Sequence, residues 1–383
     1  MLNHARFFKI LAIVLFFIAS SSFAQEKYKF TTEKKLDATS VKNQGNTGTC
    51  WCFATCSLLE SEMLRKGGEN LDFSEMYLVR CAFIEKAILY ARMHGKSNFG
   101  QGGEAHDVTN IMRKYGMMPK SAYSGTKDDA KMYDHDKLEK ELRSYLDTLM
   151  AKNPDKLPDD WMKGYMKILN REMGKAPNTF EVDGKKYTPQ SFMKDYLKIN
   201  PDDYVEFTSF THHPYYTKFF LEIPDNWSFD LYNNIKMDEI TELIDSSIAK
   251  GYTVGWGGDV SEHEFNSMKG VAIVPENDWE HKSDEDRKRT CEIHENEMKI
   301  TPEIRQKEFD NWQTTDDHFM EITGIAKDQY GEKFYITKNS WGKSRGYDGY
   351  LYMSEAYAKL KITTLMVNKN TIPAKILQEN GIK

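Results

Sequence analysis

The stretch QGNTGTCWCFATC, residues 44–56, sets three cysteines, Cys50, Cys52 and Cys56, behind a polar loop that contains Gly45 and Gly48. Zinc sites space their cysteines as separated CxxC pairs, and these three lie too close together for that pattern. A redox CxxC is absent, so no metal and no cofactor is expected. Cys52 and Cys56 read as small apolar side chains in a core. Cys50 differs by position. Trp51, Phe53, Ala54 and Leu58 predict a helix from Cys50 to about Arg65, with Thr49 as N-cap and Lys66-Gly67-Gly68 as its stop. A thiol in the first turn faces unpaired N–H groups and a partial positive charge, which favour the thiolate.

A nucleophile also needs a base and oxyanion donors. Gln44, six residues before Cys50, offers a side-chain amide, and the Cys50 N–H is a second donor. Of the ten histidines, His318 in TTDDHFMEITGIA opens an apolar strand and so hangs from the end of a rigid element. Asn339 in FYITKNSWGKSRGYDGYLYM ends another strand, where its side-chain oxygen can accept from the far ring nitrogen. Trp341 can cover that bond against water. Asp317 either supports His318 or faces solvent, and Asp259 reads as a loop support. His212 and His213 in FTHHPYY suggest a metal at first sight, but adjacent side chains of an extended strand diverge, so none is expected there, and the stretch reads as a turn that packs aromatics near the cleft.

Outward from this core, residues 1–24 read as a secretory signal: Arg6 and Lys9, the apolar run Ile10 to Ala19, then small residues. The expected mature chain begins at Gln25, is exported to a periplasmic or extracellular space, and keeps no membrane anchor. It has 50 Lys+Arg against 58 Asp+Glu, a net charge of about −8, which argues against nucleic acid as a partner. Five cysteines leave at least one thiol without an intramolecular partner. Further helices are expected from Ser74 to about His94 and from Glu104 to Tyr115. Charged helices over 126–175 are expected outside the main core. From about residue 203, VEFTSF, TVGWGGDV, FMEITGIA and KFYITKNSW read as strands.

QGNTGTCWCFA, Asp317-His318, and Asn339-Ser340-Trp341-Gly342 followed by Gly349-Tyr350 together resemble the papain-like cysteine peptidases. LDFSEMYL at 71–78, GQGGEAHDVTNIMRKYGMMPKSAY at 100–123, PDDYVEFTSFTHHPYYTKF at 201–219, GYTVGWGGDVSE at 251–262 and the tail TIPAKILQENGIK narrow the resemblance to the bleomycin hydrolase and aminopeptidase C branch, over most of residues 38–383. It implies an α+β, two-lobed fold: a helical lobe with the cysteine at about 38–125, a reduced helical insert at about 126–200, and a strand-rich, barrel-like lobe with His and Asn at about 201–383. It implies Cys50 as nucleophile, His318 as base, Asn339 as its orienter and Gln44 as oxyanion donor. Gly102, Gly103 and Trp341 are implied to meet substrate. Lys383 is expected to bring its carboxylate into the cleft to receive a peptide's free amine. The expected activity is that of an aminopeptidase on peptide substrates. A secreted endopeptidase and an inactive binding scaffold are the alternatives. The branch forms hexamers, and the shortened insert argues against that homo-oligomer here.

Overall fold

The computed structural model describes residues 26–126, 132–153 and 155–382. The expected signal, residues 1–24, and Lys383 lie outside them. Helix α1, Cys50–Arg65, is buried from Trp51 through Met63 and carries no one-sided apolar stripe. It is sandwiched, with helices on one side and a sheet on the other, so apolar residues are needed all round. Thr49 stands at its N-cap position but caps nothing with its side chain. Its hydroxyl lies 2.6 Å from that of Thr47, which donates to the Gln44 carbonyl, so the hydroxyls brace the loop instead of the helix.

Helix α2, Glu75–Arg92, starts at Ser74, whose Oγ accepts from the Tyr77 N–H. Helix α3, Ala105–Tyr115, starts where Asp107 Oδ2 accepts from the Glu104 N–H and stops at Gly116, whose φ of 77° suits glycine. Helices α4, Asp136–Lys152, and α5, Trp161–Met173, depart from expectation. Leu138, Leu142, Leu146, Tyr165, Leu169 and Met173 belong to the same apolar core as α1 to α3. The charges on α4 and α5 cover only their outer faces, so these helices complete the lobe instead of standing apart from it.

The second lobe is an eleven-stranded sheet among the described residues. Its centre runs Tyr204–Thr208, Ile362–Asn368, Val254–Gly258, His318–Lys327, Lys333–Lys338 and Tyr350–Ser354, all antiparallel, with His318 opposite Gly258. Alternation divides its faces. Phe319 and Met366 join the helical core, while Met320, Leu365 and Val367 join a second core around the helix Met237–Ala249. The tail packs on that second side: Ile376, Leu377 and Ile382 contact this core, and Lys375 lies 3.8 Å from Glu239.

The middle of α1 is fastened to the sheet by polar bonds. The buried Glu321 carboxylate accepts from Ser57 Oγ at 2.5 Å and Ser61 Oγ at 2.6 Å. Lys338 Nζ lies 3.8 Å from Glu321 and donates to Ser57 Oγ and Thr39 Oγ1. Beside it, Lys42 bridges Glu60, Asp72 and Glu75 at 2.5–2.6 Å.

Candidate active site

Cys50 stands where α1 begins, half-buried, with the N–H groups of Trp51 and Phe319 directed at its sulfur. Phe319 follows His318, so the start of the His318–Lys327 strand lies against the start of α1. His318 Nε2 is 2.8 Å from Asn339 Oδ1. The Ser340 N–H also donates to that oxygen at 2.7 Å, which fixes the amide's orientation. An oxygen only accepts, so Nε2 carries the proton and Nδ1 is left free. Trp341 covers the pair, its ring centroid 4.4 Å from that of His318 and tilted by 30°.

Gln44 is held by both strand and loop. Its N–H donates to the Ser340 carbonyl, its Oε1 accepts from Ser340 Oγ at 2.6 Å, and its Nε2 donates to the Thr47 carbonyl at 2.7 Å. The Nε2 has two hydrogens, so one remains for a ligand. Gln101, just before Gly102 and Gly103, is tied to α1 and to the loop ahead of it: Trp51 Nε1 donates to the Gln101 carbonyl, and the Gly48 N–H to Gln101 Oε1. A Cβ on Gly103 would press on the Trp51 ring and Asp107, and one on Gly102 would strike the Asp225 carboxylate. Backbone thus approaches where no side chain fits.

Burial dominates the electrostatics. It pushes the Cys50 thiol up to about 12, with Asp225 and Asp316 adding to the shift, and pushes the His318 imidazole down to about 4 against the bond to Asn339. Each favours its neutral form when taken singly. Acids gather beside the site. Asp316 is raised to about 7 by burial and then by Asp225, and Glu104 is raised by burial and then by Asp316. Glu104 and Asp316 meet side chain to side chain, an arrangement that a shared proton holds, and Asp107 Oδ1 is buried without a hydrogen-bond partner.

Of the two readings of Asp317, the structure takes the solvent-facing one: it is exposed and bonded to Thr315 and to the Val260 N–H. Asp316 faces inward. Strand alternation could have found it, since Asp316 lies two residues before His318 and shares its side. No local pattern marked Asp225 or Glu104. Asp259 supports the loop as expected, accepting from Ser261 and Thr315. The expected divergence of His212 and His213 is corrected. Residues 211–213 form a bend, in keeping with the turn reading, and within it both rings turn to Glu222, at 3.2 and 3.3 Å. All five cysteines are free thiols, and the four besides Cys50 are at most 3 % exposed.

The family model described as "Peptidase C1-like family" matches residues 14–381. Mouse (Mus musculus) bleomycin hydrolase is 24% identical over 385 residues, covering 88% of this chain and 82% of its own. Aminopeptidase W of Lactobacillus delbrueckii subsp. lactis is 23% identical over 384 residues, covering 90% and 84%. The crystal structure of PepW from Lactobacillus rhamnosis HN001 superposes with a TM-score of 0.69 at 22% identity, over 91% of this chain and 84% of its own, and shares the two-lobed fold.

Proposed function

The chain belongs to the peptidase C1-like family, and on that premise we propose that it is an aminopeptidase, releasing residues from peptides with free N-termini through Cys50, His318 and Asn339. The observation that carries the reading is the His318–Asn339 bond at the end of the strand pair that meets the start of α1. A proton passing from Cys50 to His318 Nδ1 creates two opposite charges side by side. Each then supplies the counter-ion whose absence disfavours the other. The thiolate attacks the scissile carbonyl. The free Gln44 N–H and the Cys50 N–H receive the oxyanion, and His318 protonates the leaving amine. His318 then activates the water that hydrolyses the thioester. Asn339 keeps the ring turned without adding a buried charge.

The preference for a free amine rests on charge. Asp225 lies over Gly102, Asp316 lies behind Cys50, and Cys50 feels both carboxylates. An incoming α-ammonium adds a cation to acids that so far have only Lys86 and His106 nearby. The tail before Lys383 packs on the Met237–Ala249 helix, so we assign the amine to Asp225 and not to the terminal carboxylate. The test pairs a peptide with its N-acetylated twin. The free amine should be cleaved at least about tenfold faster in kcat/KM. Equal internal cleavage of both would favour the endopeptidase alternative. A gain in blocked-peptide cleavage on deleting residues 380–383, but not in Asp225→Asn, would return the role to the tail.

A further inference from the structure

We infer that His212, His213 and Glu222 form a binding site for a divalent transition cation of the zinc class, separate from the cysteine site. His212 Nε2 lies 3.2 Å from Glu222 Oε2, and His213 Nε2 lies 3.3 Å from Glu222 Oε1. One ligand atom from each of the three residues falls within 4.8 Å of the other two. A tetrahedral zinc with bonds of roughly 2.0–2.1 Å separates its ligands by about 3.3 Å. With Glu222 binding through one oxygen, one nitrogen–oxygen distance matches that edge, and the other imidazole, which meets the second oxygen, needs only a small side-chain turn within the 4.8 Å spread to reach the same ion. Two imidazoles and one carboxylate are a donor set suited to zinc, and they leave a fourth position for water.

The surroundings hold the rings in this attitude. His213 stacks on Phe219, with centroids 4.2 Å apart and planes 25° apart, and its carbonyl accepts from Asn234 Nδ2. Gln306 secures His212. Its Oε1 accepts from the N–H groups of Thr211 and His212, which enforces the bend, and its amide faces His212 Nδ1 with Nε2 at 3.0 Å and Oε1 at 3.3 Å. That amide can serve either ring tautomer. Once a metal takes Nε2, the proton moves to Nδ1 and Oε1 accepts it, which is the outer-shell bond that ligating histidines make. Glu222 lies three residues before Asp225, so an ion here would pin the loop that hangs Asp225 over Gly102.

The binding is read by calorimetric titration of zinc into the full mature chain carrying Cys50→Ala, which removes the competing thiol. One site per chain is expected, of micromolar affinity or tighter. In that background His213→Ala and Glu222→Gln should each weaken it at least about tenfold, and Gln306→Ala by a smaller factor. Zinc should raise the melting temperature of the parent and leave that of His213→Ala unmoved. His213 and Glu222 are partly exposed, so both variants fold. His294→Ala serves as the control, because His294, Asp328 and Glu332 are the other His-containing cluster of this kind among the described residues. No saturable binding, binding unchanged in His213→Ala, or binding lost in His294→Ala would overturn the assignment. None of these readouts depends on peptidase activity.

Discussion

Two buried polar clusters flank α1, and they are built on opposite rules. In the middle of the helix the Glu321 carboxylate has two serine hydroxyls and the Lys338 ammonium, and Lys42 serves three acids. Each acid there touches a cation at contact distance or a hydroxyl, although Glu75 keeps one oxygen, Oε2, without a hydrogen-bond partner. At the cysteine end, Glu104, Asp107, Asp225 and Asp316 crowd together, the nearest cations, Lys86 and His106, spend their bonds on the Gly100 and Gly102 carbonyls and on Glu206, and burial raises all four carboxyls. Satisfied buried groups hold a structure together, whereas unsatisfied ones are kept where a ligand will complete them. One lobe interface thus carries its stability in the middle and its chemistry at the end.

The contrast breaks most sharply at the end itself. Cys50→Ala and His318→Ala should each cut peptide turnover by at least about 10³-fold in steady-state assays, with unfolding midpoints near the parent's. Asn339→Ala should lose less turnover than His318→Ala, because it orients the ring and moves no proton. Equal, complete loss in two folded proteins would remove its orienting role. In the middle of the helix the outcome should invert. Glu321→Ala strands the Lys338 charge and should cost about 3 kcal/mol in urea unfolding at neutral pH, while kcat per folded molecule holds. Asp225→Asn should raise KM for free-amine peptides by about tenfold, leave blocked peptides unaffected, and barely move the melting temperature.

The smallest effect is in the pH dependence of stability. Asp316, at about 7 when folded, holds a proton that the unfolded chain releases near 4, so its stability contribution is lost as pH rises through that window. His318, held at about 4, acts the other way: the unfolded chain binds the proton between about 4 and 6.5, so stability rises with pH there. Asp316→Asn removes the first slope and keeps the second. Urea titrations from pH 4 to 7 should show a steeper climb in the variant than in the parent.

What the residues revealed in advance follows from how local each signal is. Helix α1, its cysteine, and the strands ending in His318 and Asn339 are written in short patterns, so their placement was legible. The packing of α4 and α5 was not, because charges on an outer face look the same whether the inner face meets a core or water. The Asp225 position was hidden for a different reason. It reaches Gly102 from a loop more than a hundred residues away, and no spacing encodes that approach. His212 and His213 misled because their bend is imposed by Gln306, ninety-four residues downstream.

The sorting of the sulfurs has a practical outcome. Cys52, Cys56, Cys81 and Cys291 are sealed in cores, and Cys50 is the one with a way out. A dose of oxidant or disulfide reagent on the native chain therefore falls on a single atom. Activity should fall linearly with reagent and reach zero at one equivalent. The intercept counts the competent molecules in a preparation, and reductant should restore them all, since no neighbouring thiol is close enough to the surface to trap the damage.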